Sequence, residues 1–192
     1  MKSLSIALLF SLSLLFQPKF LTAEMGSDGL HKQSWFHQSF LELNEDLQQA
    51  NEEDKFLIVL VEQAGCPYCR ELHEVNFNRE EITNYIQKNA IVIQLDLWGS
   101  REVIGFDDEA FEEKKWIQDQ GINFTPTTII YDMTSDGTPL EAFRLPGYFK
   151  PFHYLSSLEY VVTGEYLKQP FQRYLQDKFS ELAAQGIDPD VW

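Results

Sequence analysis

Two apolar runs organise the chain. Phe56-Leu57-Ile58-Val59-Leu60-Val61 is unbroken, and Ala90-Ile91-Val92-Ile93-Gln94-Leu95-Asp96-Leu97 nearly so. Runs rich in β-branched residues without polar alternation are the pattern of strands covered on both faces. Helical spacing from about Pro67 to Leu72 or beyond, and again from about Glu80 to Lys88, separates them. Strand, helix, strand predicts a parallel pair joined by a crossover. Ahead of the first run, Trp35, Phe36, Phe40, Leu43, Leu47 and Ala50 recur three and four residues apart, which predicts an amphipathic helix over 35–50.

Residues 98–108 interrupt the pattern and read as a loop or insertion. Helical spacing returns from Glu109 to Gln120 through Phe111, Trp116 and Ile117, with Gly121 as its stop. Thr127–Tyr131 and Glu141–Leu145 flank a Thr-Ser-Asp-Gly-Thr-Pro turn, which predicts an antiparallel hairpin. Two further helices are expected near 152–163 and 171–184. The sum is an α/β domain: a central mixed sheet of four to five strands with helices on both faces, an N-terminal helix and a C-terminal helical extension. No repeat or linker divides it, so residues 24–192 read as one domain, with its core at about 35–165 and the extension at about 166–192.

The first residues belong to a different pattern. Lys2 precedes the apolar run Leu4–Phe16, which is too short to span a bilayer and polar on no face. With Leu21-Thr22-Ala23 as a cleavage site, residues 1–23 read as a secretory signal peptide, and the mature chain as a protein with no membrane insertion. The chain has 15 Lys and Arg against 30 Asp and Glu, a net charge of −15, which excludes nucleic acid and anionic membrane surfaces as partners. Removing Lys2 and Lys19 with the signal makes the mature protein more acidic still.

In an exported chain two cysteines take on meaning, and both lie in Cys66-Pro67-Tyr68-Cys69. Thiols at i and i+3 share a helix face and lie close enough for a small disulfide ring. Cys66 falls where the first buried strand ends and a helix begins, so the unpaired N–H groups and dipole of the helix start favour its thiolate. Cys66 is therefore the expected nucleophile, and Cys69, one turn further in, the resolving thiol. Pro67 suits the first helical turn, and Tyr68 offers an exposed apolar surface to a partner chain. A competing reading takes Cys66, Cys69 and His73 as ligands of copper or zinc, since all three share one helical face.

Downstream stands Gly121-Ile122-Asn123-Phe124-Thr125-Pro126-Thr127. A proline cannot sit inside a central strand, so Pro126 marks the start of the strand that follows. A cis Thr125-Pro126 bond would set the Thr125 backbone beside the cysteines as a short edge for a substrate strand.

The helix, the Lys55–Glu62 strand, Gly65-Cys66-Pro67-Tyr68-Cys69-Arg70 and Thr125-Pro126-Thr127 together resemble the thioredoxin superfamily over roughly residues 35–165. Phe56–Phe77, Pro146-Gly147-Tyr148 and the two C-terminal helices are most similar to periplasmic SoxW-like thioredoxins. The resemblance implies a thioredoxin fold, a nucleophilic Cys66, a resolving Cys69, and a cis Pro126 facing them. It departs from the usual pattern at Leu60, where a typical thioredoxin has a buried Asp, and at Gly65, where it has Trp. The expected activity is periplasmic thiol–disulfide exchange with protein substrates and an upstream redox partner, in the reducing direction, with no cofactor beyond the Cys66–Cys69 disulfide. The contact residues for substrate are Pro67, Tyr68, Thr125 and Pro126. A disulfide oxidase or isomerase is the alternative within the same chemistry, and a copper or zinc chaperone the alternative outside it.

Overall fold

The computed structural model of the protein describes residues 24–188. The signal segment read at 1–23 lies outside the described residues, and so do residues 189–192. Four strands form the central sheet: β3 (Phe56–Glu62), β4 (Ala90–Asp96), β7 (Thr127–Met133) and β8 (Pro139–Pro146), in the order β4-β3-β7-β8. β3 and β4 are parallel, whereas β7 lies antiparallel to β3 and β8 antiparallel to β7.

The continuous apolar run of β3 has two faces to serve. Leu57, Val59 and Val61 enter one core with Ile91, Ile93 and Leu95 of β4. Helices α1 (Leu43–Glu52) and α4 (Glu113–Asp119) cover that face, through Leu43, Leu47, Ala50, Trp116 and Ile117. Ile58 and Leu60 enter the opposite core. There they meet Leu72, Ile82 and Ile86 of the crossover and Tyr154, Leu158 and Val161 of α5 (Pro151–Val162). Each fully buried aliphatic side chain contributes roughly 1.5–3 kcal/mol relative to exposure, so a strand buried on both faces anchors both layers.

The crossover contains α2 (Pro67–Glu71), a π turn (Leu72–Asn76) that continues it, and α3 (Glu80–Asn89). α6 (Phe171–Ala184) contributes no fully buried residue and docks through aromatic rings: Phe171 on Phe143 at 4.8 Å, Tyr174 on Tyr160 at 5.3 Å and Phe179 on Phe152 at 4.8 Å. Among the described residues no helix is long and apolar enough to cross a membrane.

Two expectations from periodicity are corrected. The first helix begins at Leu43, not near Trp35. His37 N–H donates to the Val92 carbonyl at 2.8 Å, so the preceding segment runs along the edge of β4. Phe36 packs in the second core and Leu43 in the first, while Phe40 is exposed. The helical spacing thus strung together residues that serve opposite faces of the sheet. Within the 98–113 segment, β5 (Glu102–Ile104) pairs antiparallel with β6 (Ala110–Glu112), which delays the start of α4 to Glu113. A small hairpin of β1 (Glu24–Met25) and β2 (His31–Lys32) also lies within the domain, ahead of the core expected at about 35–165.

Candidate functional site

The C-terminal end of β3 delivers the chain to the site. Gly65, at φ 72°, takes the left-handed turn that an L side chain resists, and Cys66 follows as the N-cap of α2 with extended backbone. Pro67 occupies the first helical position, where its missing N–H leaves no bond unmade. Cys66 and Cys69 are joined by a disulfide with their Cα atoms 5.2 Å apart. Cys69 N–H donates to Cys66 Sγ at 3.0 Å. The group that would stabilise a Cys66 thiolate is therefore already aimed at it. Cys66 keeps a thin exposed edge, 5% against 1% for Cys69.

The Thr125–Pro126 peptide bond is cis. It brings the Thr125 carbonyl oxygen to 3.6 Å from Cys66 Sγ, and Thr125 Oγ1 to 3.5 Å. Gly147, at φ 91°, donates its N–H to the Pro126 carbonyl at 2.7 Å, which fixes the end of β8 against the same loop. Tyr148 then reaches Tyr68, their rings nearly parallel at 13° with centroids 6.3 Å apart. The residues expected to carry the exchange and contact the substrate, Cys66, Pro67, Tyr68, Cys69, Thr125 and Pro126, thus gather beyond the carboxyl end of β3.

His73 is different. It is fully buried: Nε2 lies 3.1 Å from Glu62 Oε2, and Nδ1 lies 3.2 Å from Gln33 Nε2. Both ring nitrogens are engaged by these partners, and among the described residues no three His, Cys, Asp or Glu side chains converge on a metal position. The arrangement gives the copper or zinc reading no ligand set.

Sequence reasoning missed several site residues. Trp98, just past β4, is 66% exposed and its indole N–H donates to Gln63 Oε1 at 2.8 Å, on the loop that carries Cys66. Phe124, also 66% exposed, immediately precedes Thr125. Trp98 and Phe124 thus stand exposed on the segments joined to the Cys66 and Thr125 loops, and Tyr68 and Tyr148 add a second pair of rings beside the disulfide. Their signal was position: both Trp98 and Phe124 stand where chain meets the carboxyl edge of an α/β sheet or the loop facing it, the place such sheets bind ligands. Glu62 was also missed; it is buried at the end of β3, two residues beyond Leu60.

The sequence matches the thioredoxin-like domain family over residues 43–162. No curated protein sequence matches it significantly. Among solved structures, a thioredoxin-fold protein from Helicobacter pylori superposes with a TM-score of 0.52 at 22% identity, over 74% of this chain and 92% of the other. A thioredoxin from Thermus thermophilus superposes with a TM-score of 0.50 at 18% identity, over 62% of this chain and 83% of the other. At those identities the likeness is one of fold.

Proposed function

The chain belongs to the thioredoxin-like domain family, and on that premise we propose that it is an exported thiol–disulfide oxidoreductase that reduces disulfides in partner proteins. The observation that carries this reading is the Cys66–Cys69 disulfide at a helix start, with a backbone N–H on Cys66 Sγ and the Thr125 carbonyl alongside. The reduced protein attacks with the Cys66 thiolate. One substrate sulfur joins Cys66 in a mixed disulfide, and the other leaves as a thiolate and takes a proton from water. Cys69 then attacks Cys66 Sγ, the second substrate sulfur leaves, and the chain is left as the disulfide. With two cysteines in the sequence, both used in this exchange, the reduced form is restored by thiols from another protein or by a small thiol.

In this reading Pro67, Tyr68, Thr125 and Pro126 contact the substrate, which lies as a short extended segment against the Thr125 backbone. The signal-peptide pattern read at residues 1–23 supports export, and the resemblance of the sequence to periplasmic SoxW-like thioredoxins supports a periplasmic location and the reducing direction. The Cys66–Cys69 midpoint potential tests direction. A value near about −270 mV fits a reductase, whereas one near about −120 mV assigns the protein to oxidation of its partners.

The exposed aromatic rings give a second test. Trp98→Ala and Phe124→Ala are each expected to raise KM for insulin reduction about tenfold, the loss of one exposed aromatic contact, with a small aromatic disulfide reacting as before. Equal losses on both substrates would show that these rings support the site's geometry and not the partner's docking.

A further inference from the structure

The outer edge of β4 is covered by two segments that lie far apart in sequence. His37 N–H donates to the Val92 carbonyl at 2.8 Å, and Arg101 Nη2 donates to the Gln94 carbonyl at 2.9 Å. Between these two covers remains a cavity of about 280 Å³, near the lower limit of the roughly 300–1,000 Å³ that small-molecule sites occupy. Lys32, His37, Gln38, Gln94 and Arg101 bring hydrogen-bonding groups to its wall. Phe36, Leu41 and Ile93, all buried, give it an apolar part where charge is poorly screened.

The sign of this lining runs against the rest of the chain. Acidic residues outnumber Lys and Arg 30 to 15, yet no Asp or Glu lines the cavity, whereas Lys32 and Arg101 both do. The two cationic heads converge on one residue, Lys32 Nζ donating to Gln94 Oε1 at 2.7 Å and Arg101 Nη2 to the Gln94 carbonyl. Their counter-ions, Asp28 and Glu113, stand outside the lining. An ammonium carries three N–H donors, of which Asp28 and Gln94 take two; a guanidinium carries five, of which Glu113 and the Gln94 carbonyl take three. The Lys32–Asp28 pair is exposed, and pairs of that kind are weak, so the ammonium remains open to a second anion. An apolar guest would strip water from these charged groups and return no bond for it. An anion with several oxygens would instead be met by both heads.

We propose that this cavity binds a small anion bearing two or more acceptor oxygens, an inorganic oxyanion or a dicarboxylate, held between Lys32 and Arg101 with the Gln38 amide as a further donor. Neither cysteine lines the cavity, so the site is separate from disulfide exchange. Lys32 precedes the family match at 43–162, and Arg101 belongs to the 98–113 segment that carries β5 and β6. A bound anion therefore ties the N-terminal segment to that segment across the edge of β4, and its effect is to stabilise the fold.

Titration of the protein with sulfate, phosphate and succinate, against chloride at equal ionic strength, tests the site by calorimetry and thermal melts. Saturable binding is expected, with Tm raised by about 5–10 °C at a concentration a hundredfold above Kd. Tighter binding of sulfate or phosphate assigns the cavity to an inorganic oxyanion, and tighter binding of succinate to a dicarboxylate. Sulfate and phosphate also strengthen burial in any protein, so two variants separate the site from that general effect. Lys32→Met removes one charged donor and Gln38→Glu places a carboxylate in the lining; each should weaken binding about tenfold or more. Gln38 is exposed, so Gln38→Glu is expected to fold and decides the matter if Lys32→Met does not. Absence of saturable binding overturns the proposal, and so does binding of equal strength in wild type and Gln38→Glu.

Discussion

Cys66→Ser is expected to abolish insulin-disulfide reduction, lowering turnover by roughly three orders of magnitude or more, because an alcohol at neutral pH neither attacks sulfur nor forms a mixed disulfide. The fold should survive, since a buried serine at the N-cap still accepts the Cys69 N–H that Cys66 Sγ accepts now. Cys69→Ser should behave differently. On the proposed reading the first attack belongs to Cys66, the more exposed of the two cysteines and the one whose sulfur accepts an N–H, so this variant is expected to react once. It then stops at the mixed disulfide, and intact mass should show the chain plus one substrate. Turnover is lost in both variants, but only one retains its partner. The reverse outcome, with Cys66→Ser trapping substrate, would exchange the roles of the two thiols.

The contrast depends on a geometry that the sequence made legible to different degrees. The strands were clear because burial on both faces leaves an unbroken apolar run, as in Phe56–Val61 and Ala90–Leu97, and such runs resemble little else. The disulfide motif was clear because two thiols three apart at a strand-to-helix junction have few uses. The stretch 35–42 was misread because Phe36 and Leu43 serve opposite cores while keeping helical spacing, and periodicity records spacing without recording which face it serves. Glu62 was hidden for a related reason. At the end of an apolar strand a carboxylate reads as the first exposed residue, and only the arrival of Gln94 from β4 and His73 from the crossover makes it an interior group. Partners far apart in sequence leave no local trace. The same holds for Trp98, whose exposed ring is placed by a bond to Gln63, 35 residues earlier.

Arg101→Ala carries the largest expected stability cost, and it falls in the segment that the apolar pattern left blank. Glu113, the first residue of α4, is fully buried. It accepts the Asp96 N–H at 2.7 Å and the Arg101 Nε at 3.0 Å, with Arg101 Nη2 held by the same carboxylate. Arg101 Nη2 also donates to the Gln94 carbonyl at 2.9 Å, and the Glu113 N–H returns to the Arg101 carbonyl at 2.8 Å. A Cβ at Gly99 would run into the Glu113 carboxylate, so the loop closes over the pair only because glycine is there. Glu113 in turn holds the Arg101 pKa above its usual value. Removing the arginine strands a carboxylate that water cannot reach. Breaking one side of a buried pair costs about 3–5 kcal/mol, and because the guanidinium is half exposed the expected loss is nearer 2–3 kcal/mol, or about 5–10 °C in Tm. Arg101→Met with Glu113→Leu should recover most of it, since the penalty lies in the unpaired charge and not in the missing bond. Chemical denaturation of the three proteins decides the matter: a single variant within about 0.5 kcal/mol of wild type would show that water reaches Glu113 after all. The segment anchored by this pair begins at Trp98, bonded to the loop that carries Cys66, so Arg101→Ala should also raise KM for insulin where the double variant does not.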